Sequence, residues 1–362
     1  MTINAGVDLH KTQFTVFVKQ SGNQFEQYST EEDGYKKFLT RIQRWKKSGM
    51  TVRIGVESTG NTRYFKTRME QAGAEVVVIN TLKFKVVNES VKKTDRHDAA
   101  TIAEFLEKDM LPESRLCSEE SEQLRRLLKV RTTLVRTMVT VKNQIHALLT
   151  GLGMKDSRAT LQSKRGRQKI LDALRKADSE LVVQPLFETI EQLEKSVKSI
   201  ESELEKLTEG DRTVELLMTI PGCGKIGAWT IRAFTDDINR FASAKKYSAY
   251  AGLVPWVQNS NETVRHGKIT KRGPEELRTA LVQLVMGMRR CRSTVSWRLM
   301  ERYTEMKRNK GSGKSIIATA RKLSTIIWCM LSTGQEFDPS LMIDRQLIRK
   351  ADSMRTTASQ SA

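Results

Sequence analysis

Cysteine and histidine are scarce and scattered in this chain. Its 362 residues hold four cysteines, Cys117, Cys223, Cys291 and Cys329, with no CxxC pair among them. They read as reduced thiols of a cytoplasmic protein, not as a zinc or disulfide framework. The four histidines, His10, His97, His146 and His266, are equally dispersed. Any catalytic metal is therefore expected on carboxylates, which suits Mg2+ or Mn2+. Long apolar runs are absent as well. No stretch approaches the length of a membrane span, so no membrane partner is expected, and the opening MTINAGVDLHK has no signal-peptide core. Negative charge is in deficit: Lys and Arg total 62 against 42 for Asp and Glu, a formal charge of +20. Solubility needs far less, and a polyanionic partner accounts for the excess, because each phosphate met by a cation releases condensed counterions.

The remaining composition, 38% hydrophobic and 29% charged, is that of a soluble globular protein. The length suggests roughly two or three domains. Strand signals over Thr2–Leu9, Gln13–Lys19 and Gln24–Thr30 precede a helix over Tyr35–Lys47, whose Phe38, Ile42 and Trp45 share a face. A strand over Thr51–Val56, a helix over Tyr64–Gln71, a strand over Glu75–Ile79 and a helix over Asp95–Glu107 follow. Hairpin strands leading into βα alternation predict a mixed sheet flanked by helices, over residues 1–115.

From 116 to 210 the pattern changes. Leu124, Leu127, Leu134, Met138, Val141, Ile145, Leu148 and Leu152 keep a three-four spacing, broken only by Arg131. Leu186, Ile190, Leu193, Val197, Ile200, Leu204 and Leu207 keep it unbroken. Two such heptad segments predict a coiled-coil helical hairpin. Its tip is the basic stretch Lys155–Lys176, in which Lys164, Arg165 and Arg167 either touch nucleic acid or form a solvated loop. A mainly helical third domain is placed at 211–335, and a tail, partly disordered, at 336–362.

Chemistry concentrates in three constellations. Asp8 ends an apolar strand in INAGVDLHK and Glu57 ends another in RIGVESTG, which puts two acids at a sheet's rim. Asp95 and Asp98, in KKTDRHDAA, are three apart and share a helix face. Four carboxylates at one point would repel unless divalent cations sit among them, and two such ions can clamp the attacking and leaving oxygens of a phosphodiester. Taken singly, Asp95 or Asp98 could be a helix N-cap and Asp8 or Glu57 a loop acid. The second constellation is LLMTIPGCGKIGAWTI, a helix-hairpin-helix pattern in which Gly222, Gly224 and Lys225 would meet a DNA phosphate, or a tight turn with no ligand. The third is AGLVPWVQNSNETVRHGKITKRG, with Ser260 in a polar loop among Arg265, Lys268, Lys271 and Arg272, cations expected to meet nucleic acid. A serine hydroxyl can attack a phosphodiester if something activates it, but no base is evident beside it, and alone it reads as a loop serine. GSGKS at 311–315 lacks the first glycine and preceding strand of a P-loop and reads as a basic turn before a helix over Ser315–Leu331. Trp229, Trp256, Trp297 and Trp328 lie in apolar patterns and read as core.

With these residues the chain resembles the DEDD transposases of the insertion-sequence-110 family, including its 1111 subgroup. GVDLHK, GVESTG and KTDRHDA match their acidic set, and PGCGKIGA, RFASAKKYSAYAGLVP, the serine loop, ITKRG and ATARKL follow in the family's order. The resemblance implies a RuvC-like (RNase H-like) N-terminal domain, a coiled coil and a C-terminal transposase domain. It implies a Mg2+-dependent recombinase of a mobile element. Asp8, Glu57, Asp95 and Asp98 would bind the metal, and Ser260 would become covalently joined to a DNA end. It further implies a composite site between copies in a homo-oligomer, a dimer or a tetramer, and a noncoding bridge RNA that pairs with donor and target DNA. The family usually has glycine after the serine where this chain has Asn261, a residue that tolerates the left-handed backbone. Without the resemblance, the acids alone would serve a junction-resolving nuclease, and the charge alone a protein that bridges nucleic acids.

Overall fold

The computed structural model describes residues 1–19, 24–87, 94–154, 160–175, 183–260 and 263–342. The chain divides into two compact units, 1–117 and 118–362. The first is mixed α/β and the second is mostly helical. Among the described residues no helix is long and apolar enough to cross a membrane.

The first unit runs β1 (Thr2–Leu9), β2 (Gln13–Val18), β3 (Gln24–Ser29), α1 (Glu32–Lys47), β4 (Thr51–Glu57), α2 (Thr62–Gln71), β5 (Glu75–Ile79), α3 (Thr81–Val87) and α4 (Asp95–Glu107). The five strands form one sheet in the order β3-β2-β1-β4-β5. β1, β2 and β3 pair antiparallel, as expected of successive hairpins, and β1, β4 and β5 pair parallel across helical crossovers. Alternation sorts the two faces. Ile3, Ala5, Val7 and Leu9 of β1, with Phe14 and Val16 of β2 and Ile54 and Val56 of β4, pack on Tyr35, Phe38 and Ile42 of α1 and Phe65 and Met69 of α2. Phe14 is the hub of an aromatic cluster with Tyr28, Tyr35, Phe38 and Phe65. Each fully buried ring contributes roughly 1.5–3 kcal/mol. On the opposite face Phe17 meets Ala99 and Ala103 of α4, while Ile79 meets Ile102. The expected strands and helices of this unit are all present.

The second unit opens with α5 (Glu119–Gly151), α6 (Lys164–Arg175) and α7 (Gln184–Leu207). α5 and α7 lie antiparallel, with Leu124, Leu128 and Leu204 buried at one end and Val141, Ile145, Leu149, Phe187 and Ile190 at the other. Arg131, the break in the expected heptad, is held by an ion pair to Glu201 at 2.7 Å. The buried stripe of α5 differs from the expected one. Leu128 and Leu149 are inside, whereas Leu148 and Leu152 are exposed, as is Leu207 of α7. A real helix turns 3.6 residues, so a four-residue step drifts off a strict heptad.

The unit continues with α8 (Arg212–Met218), α9 (Lys225–Thr235), α10 (Ala244–Tyr250), β6 (Pro255–Ser260), β7 (Thr263–Ile269), α11 (Glu275–Met288), α12 (Arg298–Lys310) and α13 (Ser312–Thr333). Leu124, Leu128 and Leu204 share one core with Trp229, Leu281 and Ile327, so the base of the helical hairpin and the C-terminal helices are packed together. Phe337, within the expected tail, is buried and its ring lies 5.3 Å from that of Trp297. The segment from Ala351, expected to be disordered, lies outside the described residues.

Candidate active site

The parallel register of β1 and β4 places the first two acids. Pairing runs from Thr2 opposite Thr51 to Val7 opposite Val56, so Asp8 and Glu57 occupy the next rung, at the carboxyl ends of adjacent parallel strands. That edge of an open sheet is where crevices form. Gly6 and Gly55, opposite each other in the same register, lie two residues before the acids and on the same face. They are glycines for a steric reason. A Cβ on Gly6 would stand 2.0 Å from the Ala99 carbonyl oxygen, and one on Gly55 would stand 2.7 Å from Ile102 Cγ2. The two bare positions let α4 settle directly on the backbone of β1 and β4, which brings its N-terminal turn over the acidic edge.

Asp95 and Asp98 both lie in the first turn of α4, and neither caps it. The cap is Thr94, whose hydroxyl accepts from the His97 amide at 3.2 Å. The two aspartates are thereby left for other partners, while the helix N-terminus offsets part of their charge. Oxygens of Asp8 and Asp95 and a ring nitrogen of His10 all lie within 4.8 Å of one another. His10 Nε2 is 3.1 Å from Asp8 Oδ2 and 3.5 Å from Asp95 Oδ1. Burial lifts the Asp8 carboxyl above its ordinary range; His10 opposes that, and the charges of Asp95 and Asp98 add to it. Asp98 thus acts on Asp8 electrostatically but stands outside the 4.8 Å trio, as does Glu57. The loop after β4 is tied to the same edge: Asn61 Nδ2 donates to the His10 carbonyl at 3.0 Å, and the Thr62 hydroxyl donates to the Glu57 carbonyl at 2.8 Å. The donor set of hard carboxylate oxygens, closely spaced and mutually repelling, fits a divalent cation. His10 was set aside on sequence grounds as one of four dispersed histidines. Its position two residues after Asp8 was the available signal.

Ser260 is not in an irregular loop. It ends β6, and its pairing with Thr263 closes a β-hairpin whose tip, Asn261 and Glu262, lies outside the described residues. The hairpin is rooted by two glycine contacts. Gly252 (φ +68°) packs on the Arg272 carbonyl oxygen, and Gly273 (φ +106°) packs on that of Tyr250, where added Cβ atoms would stand at 2.6 and 1.9 Å. Between them Lys271 is held at φ +52°, a left-handed conformation that is costly for a side-chain-bearing residue. Lys268, Lys271 and Arg272 are exposed at this root; Arg265 lies in β7, its side chain outside the described residues. Trp256, expected in the core, is instead 52% exposed on this two-stranded ribbon, with its ring against Gly267.

The glycines of the helix-hairpin-helix turn have different duties. Gly222 (φ +86°) abuts Gly287 of α11, where a Cβ would lie 2.5 Å from the carbonyl carbon, so its bareness serves helix packing. Gly224 has open space around it and leads into α9. Lys225 is drawn to Glu205 in an ion pair. At the expected basic tip, Lys164 and Arg165 are exposed at the start of α6. Arg167 is turned inward, only 4% exposed, and forks onto Glu194 at 2.8 and 2.9 Å. It braces α6 against α7 and so is not part of a solvated loop.

Comparison with known proteins matches residues 5–154 to the family model of IS110-type DEDD transposases, described as "Transposase". Residues 214–302 match the model of the "Transposase IS116/IS110/IS902 family". The first span contains all four acids and the second contains Ser260. Among similar proteins, a "Probable family 20 transposase" of Pseudomonas aeruginosa is 24% identical over 79% of this chain and 86% of its own length. The "Transposase for insertion sequence element IS1111A" of Coxiella burnetii is 25% identical over 78% of this chain and 79% of its own. A "Pilin gene-inverting protein" of Moraxella bovis is 24% identical over 92% of this chain and 97% of its own.

Proposed function

The chain belongs to the IS110 family of transposases, and on that premise we propose that it cuts and rejoins DNA through Asp8, Glu57, Asp95, Asp98 and Ser260. The observation that carries this reading is the convergence of Asp8 and Asp95 at the sheet edge, with Asp98 within electrostatic reach and Glu57 on the same rung as Asp8. The strand order and the mixed pairing support an RNase H-like (RuvC-like) fold for this unit.

The family implies a divalent metal, which we take to be Mg2+, with Mn2+ a chemical equivalent. Asp8, Glu57, Asp95 and Asp98 would hold it, and when bound it supplies charge neutralisation at the reacting phosphate. The chain's own groups do the rest. His10 bridges Asp8 and Asp95 and keeps them oriented toward each other, with Asp98 acting on Asp8 through its charge. The Ser260 hydroxyl attacks the phosphorus: a serine–phosphate bond forms, the bond to the leaving sugar oxygen breaks, and the hydroxyl proton passes to that oxygen. Attack on the same phosphorus by a hydroxyl of a second strand then releases the serine and joins the strands. One ester replaces another at each step, so no external energy source is needed. A homo-oligomer, with the acids of one copy and Ser260 of another on one strand, and a noncoding bridge RNA that selects donor and target DNA, complete the reading. The α5–α7 hairpin, as a coiled coil, is the element we assign to holding copies together.

The test is strand cleavage of element-end DNA by the full chain with its flanking noncoding RNA, with Mg2+ or with a chelator. Cleavage should require the metal and fall about 10³-fold in Asp8→Asn, the scale of removing a principal electrostatic stabiliser. Undiminished cleavage by Asp8→Asn would reject the acidic site.

A further inference from the structure

The second unit contains a groove of about 1000 Å³, of whose lining only Lys268 and Lys271 have an expected role above. It lies between the root of the β6–β7 hairpin and helices α12 and α13. Its floor is apolar, formed by Leu253, Ile269, Leu299 and Ile317. Its rim carries Lys268, Lys271, Arg302, Lys314, Arg321 and Lys322, all exposed, and among the described residues no acidic one lines it. Among the described residues none of the six cations is engaged in an ion pair. Trp256 stands beside the groove: its ring bears on Gly267, itself a lining residue, where a Cβ would come within 2.8 Å of Trp256 Cε3.

A groove that is apolar at the bottom and cationic at the rim suits a partner that is flat and apolar at its centre and anionic at its edge. Unpaired nucleotides have that form, with a base that stacks on apolar or aromatic surface and a phosphate that meets Lys or Arg. Duplex DNA does not, because its bases are stacked inside and only its phosphates would reach the rim. A wholly apolar ligand would leave six cations unanswered.

We propose that this groove binds an unpaired stretch of the DNA strand that Ser260 attacks, its bases over Ile269, Leu299 and Ile317 and its phosphates at the basic rim. The proposal rests on the reading of Ser260 only for which strand is held. Pro255 pairs with Ile269 at the hairpin root and Ser260 with Thr263 at its tip. Five residues of extended strand separate root from tip by about 17 Å. That is at most about five nucleotide steps at ~3.4 Å each. The hairpin would act as a ruler, with the groove melting or gripping the strand a fixed, short distance from the phosphate that is cut.

Binding of a dye-labelled 12-nucleotide DNA strand, its duplex and the RNA of the same sequence should be measured by anisotropy. The protein would be the full chain in chelator, as wild type, Arg302→Ala/Lys314→Ala and Ser260→Ala. The double variant should weaken single-stranded DNA binding about tenfold and flatten its salt dependence by roughly 1.4 in log–log slope, two contacts' worth. Duplex binding should change less than twofold, and Ser260→Ala should bind all three like wild type. Tryptophan fluorescence should be quenched by the DNA strand, and Trp256→Leu should remove most of that quenching. Equal losses on strand and duplex would overturn the proposal in favour of a general phosphate patch. A loss confined to RNA would overturn it in favour of a guide-binding groove. Because metal and Ser260 chemistry are excluded from the measurement, its outcome is independent of whether the catalytic reading stands.

Discussion

The acidic edge and the serine hairpin are built on opposite principles. Asp8 and Glu57 sit on the central strands of a five-stranded sheet, with aromatic packing on one face and α4 pressed onto glycine backbone on the other. Ser260 sits near the tip of a ribbon of two strands, with Trp256 and Val257 exposed along it. A metal site needs carboxylates held within fractions of an ångström, and a buried sheet supplies that. Under the proposed reading, Ser260 is a nucleophile that follows a DNA strand from one partner to another, and a slender projection with a firm root suits that role. Here the root is the Gly252–Gly273 contact between two loops.

That contrast predicts unequal tolerance to added volume. Gly6→Val should be the most damaging change to stability, because the new atoms meet the backbone of α4, which cannot step aside. We expect a loss of about 3 kcal/mol, read as a fall on the order of 10 °C in the unfolding of residues 1–117. Gly267→Ala on the hairpin crowds only the half-exposed ring of Trp256, the other contacts being at ordinary distance, and should cost under about 1 kcal/mol. Similar losses at both positions would erase the contrast. A smaller effect is expected of His10→Ala. It leaves the four carboxylates in place and removes only the group between Asp8 and Asp95, so metal-dependent cleavage should drop roughly tenfold through weaker metal affinity, as for other orienting partners. Raising the metal concentration should recover most of that loss. A loss that saturating metal does not relieve would give His10 a different role.

The smallest effect is thermal and concerns pH. The Asp8 carboxyl titrates above its ordinary range in the folded chain, chiefly through burial. The folded state therefore holds that proton more tightly than the unfolded chain does. Stability contributed by protonated Asp8 is present at low pH and is lost as pH rises through the carboxylate range, so neutral pH lies on the destabilised side. In chelator at pH 7, Asp8→Asn should melt a few degrees higher than wild type, and adding Mg2+ should narrow or reverse the gap. A lower melting temperature for Asp8→Asn in chelator would mean that the acidic edge is not under electrostatic strain.

The sheet was legible because burial on both faces leaves continuous apolar strands, and because Asp8 and Glu57 interrupt those strands at the same end. That Asp95 and Asp98 share a helix turn was legible from spacing, but only the structure assigns the cap to Thr94 and so separates them from that ordinary duty. What was hidden depends on neighbours distant in sequence. Arg167 reads as a surface cation until Glu194, a helix away, is placed against it. That Gly222 also lacks a Cβ for packing shows only once Gly287 is found beneath it. Trp256 reads as core because its neighbours in sequence are apolar, yet on the two-stranded ribbon it is half exposed. The basic groove was invisible for the same reason, since its six cations come from residues 268 to 322 and only the packing of α12 and α13 against the hairpin gathers them.

Whether the acids and the serine serve one reaction is decided by the fate of the cut DNA end. The full chain, its flanking noncoding RNA and element-end DNA would be combined in Mg2+, quenched in denaturant and resolved for protein-linked DNA, with the linked peptide mapped by mass spectrometry. Covalent strand exchange predicts an adduct on Ser260 that is absent in Ser260→Ala, in Asp8→Asn and in chelator. Cleaved DNA with free phosphate ends, no adduct, and equal cleavage by Ser260→Ala would contradict it and leave the acidic edge as a hydrolytic nuclease.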